Sequence, residues 1–290
     1  MITAWIFILL CVSCSVWVAH LLKQVEVRRL DTVRVLTVNY AAAFLTASLV
    51  HLFRYRQLPS GLSEIPVPLM ILALLIGLIF ISNYFLYSKS VHRNGVGISI
   101  ASMRMSLVFP VLISVLWYGD PLTGTQWVGI GLVFPALMLL LPETKTLFKG
   151  AFTSGWMLLL LFLLTGIGDL SLKIYEVEYS TLLADELFIA GVFAAALLAG
   201  TFFLLIRGGL APNRQELQIG ITIGIPNFLT ILFLIEALHR LSGGVVYSAV
   251  NLLTVLGGTL IGVTIWKDQI KNHQWVAIFL ALLSILFLLM

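Results

Sequence analysis

The chain has 290 residues, of which 60% are hydrophobic and only 10% are charged. Soluble domains have roughly a quarter of their residues charged, so this composition excludes a soluble globular protein and predicts a polytopic membrane protein. The formal net charge of +4 comes from 17 basic residues scattered among short loops, which excludes a nucleic-acid-binding surface built on a basic run.

Long apolar segments follow one another along the whole chain. A membrane-spanning helix needs about 20 predominantly apolar residues and satisfies its own backbone polar groups. The first segment has no basic region before it and no small-x-small cleavage pattern after it, so we interpret it as a span and not as a removable signal peptide. By this measure the sequence predicts ten transmembrane helices, at residues 3–22, 33–53, 67–87, 95–117, 125–141, 154–173, 184–206, 217–238, 243–265 and 273–290.

Several residues of the first half of the chain recur in the second half. Lys23 and Glu26 return as Lys173 and Glu176. A proline and several charges at 142–152 separate five predicted spans from the next five, which gives predicted repeats at 1–145 and 151–290. Because five is odd, the second repeat enters the membrane upside down, so the predicted fold is all-α, with ten transmembrane helices as two inverted five-helix repeats. Four further residues recur 148 positions later: Gly95, Asp120, Gln126 and Trp127 return as Gly243, Asp268, Gln274 and Trp275.

The end of the first repeat carries a recognisable motif. Residues 118–123 read Tyr-Gly-Asp-Pro-Leu-Thr and are followed by Gln126 and Gly129, after a span with Pro110 in its middle. This pattern resembles the end of an EamA-type repeat of the drug/metabolite transporter superfamily, where a Gly-Glu pair usually closes the fourth span. Here the acid is Asp in both halves. In the second half, Ala277 stands at the position that corresponds to Gly129.

The resemblance implies a transporter whose third, fourth, eighth and ninth spans line a central cavity, with cytoplasmic termini. Loop charges favour the other orientation. Twelve basic residues lie in loops after odd-numbered spans and four in loops after even-numbered spans, and the positive-inside rule then places both termini outside. Both orientations stay open at this point.

Arg104 is the most informative single residue. It lies nine residues past Gly95, roughly 14 Å into its span at about 1.5 Å per residue. A guanidinium near the bilayer centre costs several kcal/mol unless it faces a cavity or a partner. The sequence therefore predicts recognition of an anionic group of the substrate by Arg104. The alternatives are an internal ion pair, or a shifted helix boundary that lets the side chain reach the interface.

Asp169 and Lys173 are four residues apart on the sixth span, so they can form an ion pair along one helix face. Asp169 lies deeper and is also a candidate partner for Arg104 or a site of proton coupling. Lys173 is near the end of its span, where its amine can reach the interface.

Other polar residues fall in the third, eighth and ninth spans. Amides are costly in hydrocarbon without a partner, so they are candidates for hydrogen bonds to substrate, with contact between helices as the alternative. Tyrosines can supply aromatic walls with a polar end. The predicted substrate-binding residues, together with Arg104, are Asn83, Tyr84, Asn227, Tyr247 and Asn251.

Several residues have predicted structural roles. Asp120 and Asp268 end spans, where a carboxylate can orient the turn into the next helix. Gly258 and Gly262 form a small-xxx-small face that permits close helix contact. Pro110 lies within a span and is expected to kink it.

No motif supports an enzyme. The sequence has no Walker-type phosphate loop, no H-E-x-x-H and no G-x-S-x-G pattern, and Cys11 and Cys14 have no further cysteine with which to complete a metal site. We therefore predict no catalytic residues, no metal and no cofactor.

The sequence favours transport of a small polar or amphipathic metabolite, which can be anionic, by alternating access, either secondary-active or facilitative. The alternative is a non-transporting receptor or scaffold with the same fold. We expect an integral multi-pass protein of a bacterial inner (plasma) membrane. Its expected partners are a small-molecule substrate and the lipid bilayer but no nucleic acid, and a homodimer is left open.

Overall fold

The computed structural model describes residues 2–56, 65–94, 96–140, 151–209, 211–267 and 272–290, and within these ranges the secondary structure is entirely helical. One π-helical turn, Tyr175–Tyr179, continues the seventh helix. The helices are α1 (Ile2–Val27), α2 (Thr32–Tyr55), α3 (Val67–Asn94), α4 (Val96–Met105), α5 (Val108–Leu116), α6 (Gly124–Leu140), α7 (Ala151–Ile174), α8 (Asp185–Arg207), α9 (Arg214–Leu238), α10 (Gly243–Thr264) and α11 (Asn272–Leu289).

Each of the ten predicted spans corresponds to helix, with ends that differ by a few residues. Among the described residues, eight helices are long and apolar enough to cross a membrane, and the apolar stretches Ser102–Leu116 and Gly124–Leu139 are shorter. This confirms the all-helical, multi-pass architecture. Gly95, Asp268 and most of the predicted junction between the repeats lie outside the described residues.

The outer surface of the bundle is apolar. Phe53 is 80% exposed and Leu198 is 71% exposed, while polar residues such as Asn39 and Ser248 are buried. This is the reverse of a soluble protein, in which charged and polar groups cover the surface. The exposed apolar side chains are therefore the surface that contacts lipid.

The predicted fourth span is not one helix, because it is interrupted between α4 and α5 at Ser106 and Leu107. Pro110 has no N–H to donate to the Ser106 carbonyl, and its ring crowds that carbonyl. Phe109 N–H donates to the Ser106 carbonyl instead, at 3.0 Å, and the Ser106 hydroxyl donates to the Met103 carbonyl at 2.5 Å. The expected kink is thus an interruption of two residues, which begins four residues before the proline.

Helices of the first half pack against helices of the second half in matching pairs. The second helix of each half contacts the third of the other, as α2 with α9 and α8 with α3. The first helix of each half likewise contacts the third of the other, as α1 with α9 and α7 with α3. The first helix of each half also packs on the fourth span of the other, and α6 packs on α11.

Two glycines permit these close contacts. A Cβ at Gly77 of α3 would lie 2.6 Å from the Ala195 Cβ of α8, and a Cβ at Gly224 of α9 would lie 2.5 Å from the Ala42 Cβ of α2. The predicted small face of α10 is different, because a Cβ at Gly258 meets nothing within 4 Å.

Gly224→Ala is expected to destabilise the protein. The added methyl would lie 2.7 Å from the Asn39 carbonyl oxygen and 3.0 Å from the Ala43 nitrogen, and these backbone atoms cannot move without separating the helices. Overpacking of this kind costs about 1–3 kcal/mol, against a gain of about 1 kcal/mol in helix propensity. The midpoint of thermal unfolding in detergent should fall.

Gly191→Ala is the matched control for Gly224→Ala, because its Cβ would lie at an ordinary 3.5 Å from the Ala73 Cβ. This variant should unfold at or above the wild-type midpoint. An unchanged midpoint for Gly224→Ala would contradict the close contact of α2 with α9.

Candidate functional site

A cavity of about 530 Å³ lies between the two halves, in the middle of the bundle. Residues of α1, α2, α3, α4, α7, α9 and α10 line it. It therefore includes the third, fourth, eighth and ninth spans, and adds the first, second and sixth. The cavity brings together every residue predicted to bind substrate, and Asp169 as well: Asn83, Tyr84, Arg104, Asp169, Asn227, Tyr247 and Asn251.

Arg104 lies in the last turn of α4, directly before the helix break. The negative end of a helix dipole stabilises a cation at this position. Its Nη1 donates one hydrogen bond, to the Asn251 Oδ1 of α10 at 3.1 Å. A guanidinium has five N–H donors, and no second hydrogen bond joins this side chain to the described residues. Since Arg104 is partly exposed to the cavity, its other donors are available to a bound anion.

Asp169 faces the same cavity from α7 and is also partly exposed to it. Within the described part of the chain, no donor lies within hydrogen-bonding distance of its carboxylate, and no cation lies within 4.0 Å. Its backbone carbonyl accepts a hydrogen bond from the Tyr247 hydroxyl at 2.8 Å. Tyr247 thus joins α10 to α7 and leaves the Asp169 carboxylate free to bind a ligand.

The asparagines of the cavity also hold helices together. Asn83 Nδ2 donates to Thr165 Oγ1 at 3.0 Å, which joins α3 to α7. Asn227 Nδ2 donates to Asn39 Oδ1 at 3.1 Å, which joins α9 to α2. The Asn83 Oδ1 is buried without a partner, so this amide retains an acceptor for a ligand.

Sequence analysis did not identify several lining residues. Asn39 is an amide in the second span, which was not among those expected at the cavity. Tyr40 resembles the aromatic residues that mark membrane interfaces. Thr254, whose buried Oγ1 has no partner, gives no signal in the sequence, because Thr often bonds to its own helix backbone.

Lys173 does not pair with Asp169, and its side chain is buried within the bundle. It is 2% exposed, and its Nζ lies 2.9 Å from Glu176 Oε2 and 3.1 Å from Asp120 Oδ2. The expected pair along α7 is replaced because the loop between α5 and α6 brings a carboxylate close to the end of α7. Lys173 is therefore outside the cavity and bridges two acidic residues.

Asp120 orients a helix, as predicted for a span end, but the helix is α10 and not α6, the next helix in the chain. Its Oδ2 accepts a hydrogen bond from the Gly243 N–H at 2.7 Å, so it caps the first turn of α10 in the other half of the protein. A carboxylate is stabilised there by the positive end of the helix dipole. The fit at this position is close, because a Cβ at Gly243 would overlap the Ser114 hydroxyl oxygen of α5 and would lie 3.0 Å from the Ser114 Cβ.

These three residues, Asp120, Lys173 and Gly243, form a link between the halves that we call the cross-half link. Lys173 lies four residues beyond Asp169 on α7, and Gly243 lies four residues before Tyr247 on α10. At about 1.5 Å per residue, the cross-half link is roughly 6 Å from the cavity, toward the end of the bundle where α7 ends and α10 begins.

A second polar cluster ties α2 to α8 and α9 at the opposite end. The Arg207 guanidinium of α8 pairs with the Asp31 carboxylate at the start of α2. Arg34 Nε donates to the Gly209 carbonyl at 2.9 Å, and its Nη1 lies 3.7 Å from Glu216 Oε2. Each end of the bundle therefore has ionic contacts between the two halves.

Metal-binding chemistry has no support in the described ranges, where no group of three or more His, Cys, Asp or Glu residues could hold an ion. Both cysteines are free, and Cys11 is buried beside the cavity.

Comparison with known proteins finds a transporter family in the first half of the chain and similar proteins over nearly its full length. Residues 3–141 match the model of the EamA-like transporter family. An uncharacterized protein of Haemophilus influenzae is 27% identical over 284 residues, which cover 96% of this chain and 95% of the relative. A crystal structure with 14% sequence identity superposes with a TM-score of 0.74, over 99% of this chain and 96% of the other, and so shares the fold. The resemblance seen in the sequence is thereby confirmed for residues 3–141, which match the EamA-like transporter family.

Proposed function

We propose that the chain carries a small polar metabolite with an anionic group across the membrane by alternating access, and that the substrate binds in the central cavity. The observation that carries this proposal is the position of Arg104, whose free donors face a cavity between the two halves. The volume of about 530 Å³ falls within the range of roughly 300–1,000 Å³ typical of small-molecule sites.

The electrostatics of Arg104 support an anionic group on the substrate. Arginine stays protonated in proteins and binds carboxylate or phosphate with two parallel hydrogen bonds. In an apolar bundle such a charge costs several kcal/mol of free energy unless it faces a cavity or a partner. Asn251 supplies a single neutral acceptor, which leaves most of the solvation of the guanidinium to a ligand.

The matching contacts support two inverted repeats. An exchange of the halves converts the contact of α2 with α9 into that of α8 with α3, and the contact of α1 with α9 into that of α7 with α3. Gly77 and Gly224 support the same relation, because each lies in the third helix of its half and packs on the second helix of the other. In transporters built this way, rocking of one unit against the other exposes a fixed site to each side in turn.

The cross-half link supports the alternation. Asp120 belongs to the first half, whereas Lys173 and Gly243 belong to the second, and all three lie between the cavity and one end of the bundle. Access to the cavity from that end requires these contacts to separate. Alternation then exchanges this closure for one at the other end.

We further propose that the chain resides in a bacterial plasma membrane. The apolar outer surface and the similarity to a Haemophilus influenzae protein over nearly the full chain support this location.

Flux measurements test the proposed function. Anionic metabolites are first compared between cells with and without the chain, and those that differ are tested for counterflow in proteoliposomes with purified protein. We expect saturable flux of at least one such metabolite. An unchanged metabolite profile, or a ligand that binds but is never moved, would refute carriage and favour a receptor.

A further inference from the structure

The helix pair α2 and α8 is tied at both ends of the bundle. At one end the Arg54 Nη1 lies 2.7 Å from the Glu186 Oε1, and at the other end the Arg207 guanidinium pairs with the Asp31 carboxylate. Because an ion pair holds each end, this side of the bundle offers the same closure toward either face of the membrane. The closure that alternates with the cross-half link must therefore lie elsewhere in the bundle.

A second contact between the halves lies where α1 and α10 both end. The Lys23 Nζ lies 4.6 Å from the centre of the Trp266 ring, a distance at which the face of an indole attracts an ammonium group. The ring of His20, one turn before Lys23, lies 5.6 Å from the same indole. We call these three residues the cation–π link. It joins α1 of the first half to the end of α10 in the second half, opposite the cross-half link.

Lys23 occupies the position in the first half that Lys173 occupies in the second. The two lysines are 150 positions apart in the repeated sequence, and each lies near the end of the first helix of its half. Lys23 lies four residues past Ala19, which lines the cavity. Lys173 likewise lies four residues past Asp169, which also lines the cavity. The two lysines therefore stand at equivalent places, at opposite ends of the cavity.

Two unsatisfied polar atoms oppose the closed form of the cation–π link. The Trp266 Nε1 and the His20 Nδ1 are buried, and neither has a hydrogen-bond partner among the described residues. A buried polar group without a partner destabilises the contact that buries it, and exposure to water removes this cost. The attraction between Lys23 and the indole holds the contact closed, so the loss of this attraction should release it.

We propose, as a refinement that rests on the proposed function, that the cation–π link is the closure that alternates with the cross-half link. Separation of Lys23 from Trp266 opens the cavity at that end while the cross-half link keeps the other end closed. In the reverse state the cross-half link is separated and the cation–π link is formed. The two links never separate together, because a cavity open at both ends would be a channel and would dissipate the gradient.

Side-specific labelling of Cys11 tests the inference. Cys11 lines the cavity, so its reaction with a membrane-impermeant thiol reagent reports access from the face on which the reagent is present. The full-length chain with Cys14→Ser is compared in right-side-out and inverted membrane vesicles. The face from which Asp120→Asn speeds labelling identifies the end closed by the cross-half link.

Lys23→Met keeps the length of the side chain but removes the charge. It should speed labelling of Cys11 from the face opposite to the one identified by Asp120→Asn, by roughly three- to tenfold, the range that loss of a cation–π contact supports. From the other face it should slow labelling. Lys23→Arg keeps the cation over the ring and should label as the wild type does. Arg214→Gln, which removes an exposed charge at the start of α9, controls for the effect of charge on the reagent.

Two results would overturn the inference. One is an unchanged labelling rate in Lys23→Met from both faces, and the other is faster labelling from the same face as in Asp120→Asn. If Lys23→Met does not fold, Trp266→Leu removes the ring instead and is judged by the same two results.

The outcomes also distinguish this inference from the proposed function. If an anionic metabolite is transported but Lys23→Met labels as the wild type does, the proposed function stands and the cation–π link is not a closure. If the two variants open opposite faces but no metabolite crosses proteoliposomes, the closures are as inferred and the proposed transport is wrong.

Discussion

Arg104→Gln is expected to reduce substrate affinity by roughly 10–100-fold and to reduce uptake at low substrate concentration by the same factor. A hydrogen bond to a charged group contributes about 1.5–3 kcal/mol, and each 1.4 kcal/mol is tenfold in affinity. Glutamine can still donate to the Asn251 Oδ1, which accepts from Arg104 at 3.1 Å in the native protein, so the α4–α10 contact should survive. Counterflow in proteoliposomes measures the effect.

Arg104→Lys tests geometry separately from charge. Lysine keeps the positive charge but lacks the planar fork that binds carboxylate with two hydrogen bonds, so only part of the lost affinity should return. Arg28→Gln, at an exposed position after α1, is the control and should transport as the wild type does. Full activity of Arg104→Gln at all substrate concentrations would show that Arg104 does not bind the substrate.

Asp120→Asn is expected to increase access to the cavity from the end closed by the cross-half link. The substitution removes the carboxylate that lies 3.1 Å from Lys173 Nζ, while Lys173 keeps Glu176 at 2.9 Å. A cost near 1.4 kcal/mol, less than the 3–5 kcal/mol of a fully broken buried ion pair, would shift the population about tenfold. Cys11, buried beside the cavity, should then react about tenfold faster with a polar thiol reagent in a Cys14→Ser background.

Gly243→Ala should also increase access to the cavity, but through packing and without a change of charge. Its Cβ would overlap the Ser114 hydroxyl, so the start of α10 must move away from α5, and the cross-half link must lengthen. Gly258→Ala on the same helix, where a Cβ meets nothing within 4 Å, is the control. Glu236→Gln is the charge control, since its carboxylate pairs at 2.5 Å with Arg240 in the same half. If Cys11 reacts at the same rate in Asp120→Asn and Gly243→Ala as in the controls Gly258→Ala and Glu236→Gln, the cross-half link does not limit access to the cavity.

The spans could be predicted because the membrane requirement is local. Each stretch of about 20 residues must be apolar and must satisfy its own backbone, so composition alone locates the ten spans, although it does not divide the fourth into α4 and α5. Arg104 and Asp169 could be singled out for the same reason: a charge in an apolar segment is costly wherever it points.

The partners of these charges could not be predicted, because they depend on how distant helices pack. Lys173 has an acid four residues earlier on its own helix, yet it pairs with Asp120 from a loop 53 positions earlier in the chain. The asparagines were chosen for substrate binding, and all three also join helices: Asn83 bonds Thr165, Asn227 bonds Asn39 and Asn251 bonds Arg104. Pro110 marked a disturbance in the fourth span, but the extent of the break depends on the Ser106 contacts that replace the lost bond.

The interruption of the fourth span has no equivalent in the second half, where α10 runs unbroken from Gly243 to Thr264. The residue that corresponds to Arg104, 148 positions later, is the fully buried Leu252. A carrier with two equal halves would have mirror-image end states and the same kinetics from either side. Here the charge and the break belong to one half only. If the chain is the proposed carrier, its end states should differ in free energy, and half-saturation should be reached at different substrate concentrations on the two faces. The gradient still fixes the final distribution, because no asymmetry of a carrier can change an equilibrium.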